Sequence, residues 1–157
     1  MDRDGVINFE KGYITSVSDF KILPDVFEVL REFQQNGYLL IVITNQGGIS
    51  KKLFTEKGLE EMNGYLVSEL QKRQIQLTEI YYCIHHPDSD SGDCICRKPG
   101  SLMIEKAMAR FNVDPKRSFF IGDKETDMQA AERAGVAGIR IPTNSSLNQV
   151  KGRVGRN

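Results

Sequence analysis

Tyr38-Leu39-Leu40-Ile41-Val42-Ile43-Thr44 runs directly into Asn45-Gln46-Gly47-Gly48. The apolar stretch from Tyr38 to Ile43 is β-rich, too short for an ordinary helix, and apolar on both faces, which reads as a buried parallel strand. Parallel strands need crossover connections, usually helices, so the stretch implies an α/β fold with a parallel sheet and helices on both faces. In that architecture ligands bind beyond the carboxyl ends of the strands. The polar, glycine-containing loop after Thr44 falls at such an end, and its hydroxyl and free backbone amides suit a phosphate oxygen.

The sequence on either side alternates in the same manner. Residues 25–36 read as a helix, with Asp25 placed to N-cap it, Val26, Leu30 and Phe33 on one face, and Gly37 at the C′ position. A second helix is predicted over 55–73, where Leu59, Met62, Leu66 and Leu70 recur at helical spacing. Strands follow over 80–84, 118–121 and 136–141. Helices are expected over 101–111 and over 126–134, the latter ended by Gly135. The polar tail over 142–157 is expected to be loose. With 157 residues and no internal repeat, the chain reads as one domain, 1–157.

Composition narrows the function classes. Lysine plus arginine equals aspartate plus glutamate at 21 each, so no field of one sign points to a nucleic-acid or membrane partner. The run 38–43 is far too short to cross a bilayer, and Met1-Asp2-Arg3-Asp4 has no apolar leader core. Three cysteines are an odd number for a disulfide framework and fit a reducing cytoplasm.

Four places carry chemistry. Asp2-Arg3-Asp4-Gly5 puts two carboxylates at i and i+2, the same side of an extended segment, where both can address one substrate. Taken alone, the pair is equally a solvated acidic terminus. Thr44 and the loop after it form the second place. In Gly122-Asp123-Lys124-Glu125-Thr126-Asp127, carboxylates at a strand end can hold Mg²⁺, and the same residues can cap a helix. Arg97-Lys98-Pro99-Gly100 supplies a cation that could balance the charge of a phosphate.

The order Asp-x-Asp-Gly, strand-Thr-Asn, Lys-Pro and strand-Gly-Asp-x-x-x-Asp resembles the four motifs of the haloacid dehalogenase (HAD) superfamily of hydrolases, from Asp2 to about Ile141. That resemblance implies a Rossmann-like fold and a small phosphorylated metabolite as substrate. Asp2 would be the nucleophile that forms an aspartyl-phosphate, and Asp4 the acid and base. Thr44 and Lys98 would bind the phosphoryl group. Asp2, the backbone carbonyl of Asp4 and Asp123 would hold Mg²⁺, with Asp127 supporting from behind.

All three cysteines fall in Cys83-Ile84-His85-His86-Pro87 and Cys94-Ile95-Cys96. Three thiolates and one imidazole complete a tetrahedral Zn²⁺ shell, and four protein ligands make it structural. Cys83, His85, Cys94 and Cys96 are the expected ligands, and His86 is expected as a neighbour. Such a zinc would order the loop 87–93. This pattern, with Asp-Arg-Asp-Gly-Val-Ile-Asn in front, resembles the branch that holds the D-glycero-D-manno-heptose 1,7-bisphosphate phosphatases and the histidinol-phosphate phosphatases. Gly12-Tyr13-Ile14 and Gly122-Asp123-Lys124 favour the heptose enzymes, with histidinol phosphate as the alternative substrate. A catalytically dead, zinc-stabilised binding domain is the rival from another class. The resemblance also implies a monomer and no cap domain, since residues 9–24 leave room for a small flap at most. Substrate contacts are then expected from Asn45, Gln46, Lys51, Lys52 and Arg97.

Two departures stand out. Relatives carry a buried strand before the first aspartate, and Met1 here occupies its last position. A sheet with its first central strand largely missing is therefore expected. Lys51-Lys52 stands where relatives commonly carry an arginine-glycine pair.

Overall fold

The computed structural model describes residues 1–90 and 94–153. Apolar spacing has produced helices where it predicts them. Val26, Val29, Leu30 and Phe33 share the buried side of α1 (Val26–Gln35), and Gly37 follows with φ 84°, a left-handed conformation that glycine adopts without a Cβ penalty. Leu59, Met62, Leu66 and Leu70 do the same in α2 (Glu56–Gln71), whose Thr55 side chain accepts the amide of Gly58 at 3.1 Å. The remaining helices are α3 (Leu102–Phe111) and α4 (Glu125–Arg133). Between them run β1 (Leu40–Asn45), β2 (Leu77–Cys83), β3 (Phe119–Gly122) and β4 (Ala137–Arg140). Each element lies within a few residues of its predicted bounds.

β1 pairs with β2 and β3 with β4, both in parallel. Two residues join the pairs. Met1 N donates to Ile41 O at 2.9 Å and Met1 O accepts from Ile43 N at 2.9 Å, while Asp2 N donates to Ile121 O at 2.8 Å. The spatial order is thus β2-β1-β3-β4, with Met1 and Asp2 wedged between the inner strands. Where the first central strand is expected to be largely missing, the structure holds this two-residue rung. An apolar cleft of about 490 Å³, lined by Met1, Leu40, Ile41, Phe119 and Phe120, lies beside it.

The strand period of two divides the core into layers. Val42 and Ile121 face one cluster with α1 and α2, while Ile43 and Phe120 face the other with α3 and α4. Helices therefore cover both faces of the sheet. The segment 9–24 contributes a single 3₁₀ turn (Val17–Asp19) and folds Ile14, Phe20 and Leu23 into the core. No cap domain is present among the described residues.

The expected looseness of the tail does not hold for its described part. Leu147 and Val150, on a 3₁₀ segment (Leu147–Arg153), are fully buried in the α1 layer. Asp25 receives Ser146 Oγ and the amide of Asn148 on Oδ2. Its carboxylate thus tethers the tail, and the expectation that it caps its own helix is corrected. Residues 154–157 of the predicted tail lie outside the described residues.

Replacing Leu147 by alanine removes buried methyl groups from a packed layer. It should cost about 2–5 kcal/mol in urea unfolding, an effect that a loose tail would not show.

Candidate functional site

The carboxyl ends of β1 and β3, with the Met1-Asp2 rung between them, converge on one group, the ammonium of Lys98. Its Nζ lies 2.9 Å from Asp2 Oδ1 and 2.6 Å from Asp127 Oδ1, and it donates to the carbonyl of Ile43 at 2.9 Å. All three side chains are buried. Burial disfavours the charged lysine, but the two carboxylates more than compensate and raise its pKa above the ordinary value. Asp2 moves up from the usual carboxylate range because of burial, with the negative charges of Asp127 and Asp4 adding to it and Lys98 opposing.

Each partner arrives by a local route. Asp127 sits in the first turn of α4 and accepts the amide of Lys124 on Oδ2 at 3.0 Å, so the same carboxylate caps the helix and pairs with Lys98. Gly122, at the end of β3, makes room for it: a Cβ there would come within 2.3 Å of Asp127 Cβ. Lys98 is fixed through its backbone, because the amide of Asn45 receives Lys98 N and donates to Lys98 O, each at 3.0 Å. Asn45, expected as a substrate contact, has both of its polar atoms engaged in this clip.

Asp2, Asp123 and Asp127 offer carboxylate oxygens within 4.8 Å of one another. Asp127 Oδ2 accepts the Lys124 amide, and its Oδ1, without a hydrogen bond of good geometry, is met by the Lys98 charge at 2.6 Å. On Asp123, Oδ2 accepts the hydroxyl of Thr143 at 2.7 Å, while the buried Oδ1 has no hydrogen-bond partner among the described residues. A buried acceptor without a donor is costly unless something cationic meets it. Oxygen donors of this kind suit a hard divalent ion such as Mg²⁺.

Asp4 stands beside this group in a different setting. Burial alone would raise its carboxyl. The Arg3 guanidinium, which contacts both carboxylate oxygens at 3.1 and 3.2 Å, instead holds it below the usual range, helped by Gln46 and Asn8. Arg3 is fully buried, bonds Asn63 on α2 at 2.9 Å and lies over the Phe20 ring. The sequence reading did not single Arg3 out, because an arginine between two aspartates looks like a solvated charge. Gln46 Nε2 donates to Asp4 at 2.8 Å and to Thr44 Oγ1 at 2.9 Å, so Thr44 and Asp4 are linked through it.

A cleft of about 910 Å³ opens above these groups and is lined by Asp2, Asp4, Thr44, Gln46, Lys98 and Asp127. Arg97 and Lys124 face it as well. Arg97 is tied to the carbonyl of His85 at 2.9 Å, and Lys124 to Glu10 at 2.8 Å. Lys124 was missed as a site residue, although its place between Asp123 and Asp127 at a strand end is the signal that could have found it. Lys51 and Lys52, both expected as substrate contacts, lie outside the lining. Lys51 Nζ stands 3.5 Å from Asp88 and 5.7 Å from the Tyr13 ring, and Lys52 is exposed.

On the rim, Cys83, His85, Cys94 and Cys96 form the second cluster. Their Sγ atoms lie 2.9–3.4 Å apart, and His85 Nδ1 lies 3.2–3.6 Å from each sulfur. Three thiols and an imidazole gathered this closely fit the donor set of a tetrahedral zinc shell, whose edges are a little under about 4 Å. Cys94 already lies low, at about 7, against burial and through hydrogen bonds from Cys96 and neighbouring amides. His86 lies outside the cluster and faces the cleft. Of the loop that zinc was expected to order, residues 91–93 lie outside the described residues.

Comparison with known proteins gives a consistent picture. The HAD-hydrolase-like family model matches residues 95–151. D-glycero-beta-D-manno-heptose-1,7-bisphosphate 7-phosphatase of Photorhabdus laumondii is 39% identical over 153 residues, which cover 94% of this chain and 81% of the relative. D-glycero-alpha-D-manno-heptose-1,7-bisphosphate 7-phosphatase of the same organism is 37% identical, covering 87% of this chain and 76% of the relative. Among solved structures, D,D-heptose 1,7-bisphosphate phosphatase of B. bronchiseptica, complexed with magnesium and phosphate, superposes with a TM-score of 0.82 at 28% identity and covers 99% of this chain and 86% of its own.

Replacing Arg3 by methionine leaves a buried Asp4 without its cation, which should cost roughly 3 kcal/mol near neutral pH. Asp4 is depressed in the folded protein, so its stabilising contribution is complete above the unfolded carboxylate value of about 3.9 and fades as pH falls through the folded value. In the variant only Gln46 and Asn8 oppose burial, the carboxyl rises, and protonation relieves the penalty. Denaturation across pH should therefore show the gap between the two proteins widest near neutrality and narrowing as pH falls through the variant's raised carboxyl value towards the wild-type one.

Proposed function

This chain belongs to the HAD-like hydrolases, and we propose that it is a phosphatase releasing the 7-phosphate of a D-glycero-D-manno-heptose 1,7-bisphosphate. The carrying observation is the buried meeting of Asp2, Lys98, Asp123 and Asp127 under an open cleft, with Asp4 alongside. A catalytically dead binding domain has no need to keep this costly arrangement of buried charge. Histidinol phosphate is the less favoured substrate, since the similar proteins named above act on heptose bisphosphates.

Asp2 is the nucleophile. Its Oδ1 is held by the amide of Arg3 at 2.7 Å and by Lys98, which fixes the carboxylate and leaves Oδ2 to attack phosphorus. Asp4 exchanges the proton. It stands ionised against Arg3, as a base for the second half-reaction must. To protonate the sugar oxygen first, it has to take up a proton, which the negative charge of an arriving phosphate favours. Thr44 and Lys98 meet the phosphoryl oxygens. Asp2, the carbonyl of Asp4 and Asp123 would hold Mg²⁺, and Asp127 holds Lys98 from behind. When bound, Mg²⁺ supplies charge neutralisation at the phosphoryl oxygens. The non-reacting phosphate meets Arg97 and Lys124, which face the cleft, in place of Lys51 and Lys52.

Cys83, His85, Cys94 and Cys96 hold a structural Zn²⁺, whose closed shell leaves no position for substrate. Through the His85 carbonyl it steadies Arg97, and two residues after Cys96 it steadies Lys98. The protein acts as a monomer in the cytoplasm. The free thiols support the compartment, and the monomer is what the family resemblance implies.

Phosphate release with Mg²⁺ should be fastest from α- or β-heptose 1,7-bisphosphate in a panel with histidinol phosphate, and Asp2→Asn should abolish it. A preference for histidinol phosphate would overturn the substrate assignment. Native mass spectrometry should find one zinc per chain. Cys96→Ser should lose the zinc and most of the activity, whereas activity unchanged in a zinc-free variant would separate the metal from the site.

A further inference from the structure

The tail that leaves β4 passes directly over the carboxylate cluster. Thr143 donates its hydroxyl to Asp123 Oδ2 at 2.7 Å. Asn144, with φ 60°, donates its backbone amide to the carbonyl of Gly5 at 2.8 Å, and its side chain takes the amide of Glu10 at 2.6 Å and bonds the carbonyl of Glu10 at 2.8 Å. The next turn is anchored by Asp25 and by the buried Leu147 and Val150. Two adjacent residues of this strap therefore grip Asp123 and the loop that begins at Asp4. The fit is tight, since a Cβ on Gly5 would meet Asp123 Oδ2 at 2.6 Å and the Thr143 methyl at 3.0 Å.

We propose that Thr143 is a positioning residue for the divalent cation, fixing the Asp123 carboxylate so that Oδ1 alone faces the metal. The inference rests on the assignment of Asp123 as a magnesium ligand. The carboxylate has two chemically equal oxygens, and its rotation about the Cβ–Cγ bond is soft. One oxygen is occupied by the hydroxyl and the other is buried with no hydrogen-bond partner among the described residues, so the Thr143 bond selects which oxygen is offered. Outer partners of this kind orient metal ligands, and their loss weakens metal binding by about 10–100-fold. Thr143 is itself exposed, with its hydroxyl on Asp123 and its methyl beside Gly5, so it can be changed without opening the core. Valine keeps the shape and removes the donor.

Mn²⁺ binding to the zinc-loaded protein, followed by electron paramagnetic resonance without substrate, tests this. The wild type should bind one Mn²⁺ and Asp123→Asn should lose it. Thr143→Val should bind about tenfold or more weakly, and Thr143→Ser, which keeps the hydroxyl, should match the wild type. Equal affinity in Thr143→Val and wild type would overturn the positioning role and leave Asp123 as a ligand. Equal weakness in the serine and valine variants would also overturn it, because the methyl and not the hydroxyl would then matter. Unchanged binding in Asp123→Asn would overturn the ligand assignment underneath.

Discussion

Lys98 between Asp2 and Asp127 is the contact on which the site depends. One cation and two anions buried together carry a large desolvation cost, and their mutual attraction offsets it only when the geometry is close. The distances of 2.9 and 2.6 Å meet that condition. The triad binds three distant parts of the chain: the rung between the inner strands, the loop before α3, and the first turn of α4. It also leaves a net negative charge at a place where Asp123 adds another carboxylate. A phosphate would enter such a site more readily beside a divalent cation, in keeping with the proposed role of Mg²⁺.

The molecule separates two metal chemistries by ligand type. Hard carboxylate oxygens gather at the strand ends, where they suit Mg²⁺. Soft sulfurs gather on the rim, where with His85 they would complete a closed tetrahedral shell for zinc. The two are coupled through short lengths of backbone. Arg97 and Lys98 follow Cys96 directly, and Arg97 also bonds the carbonyl of His85, so the rim cluster holds both cations in place.

The absence of a cap among the described residues shifts recognition onto the loops around the cleft. Arg97, next to Cys96, and Lys124, at the start of α4, both line it. Glu10 neutralises Lys124 in the free protein, and its own carboxyl is raised by burial despite that pair. On the proposed reading, an incoming phosphate would compete with Glu10 for Lys124.

Much of this was legible in the sequence. Helical spacing and capping signals located the four α-helices among the described residues, and short apolar runs the four strands, because both are local properties of the chain. The carboxylates, the Thr44 loop and Lys98 were legible because each stands at an element boundary, and the thiolates because three cysteines cluster in fourteen residues. Tertiary structure alone decided other matters. Asp25 turned from its own helix to the tail, Asn45 became a clip for Lys98, Arg3 was buried as the partner of Asp4, and Lys51 and Lys52 fell outside the cleft. The strap at Thr143 and Asn144 reaches Asp123, Gly5 and Glu10, the last from 134 positions away. Contacts of that range leave no period in the sequence. They depend on where a packed sheet brings its ends, and only burial determines whether a polar side chain finds water or another residue.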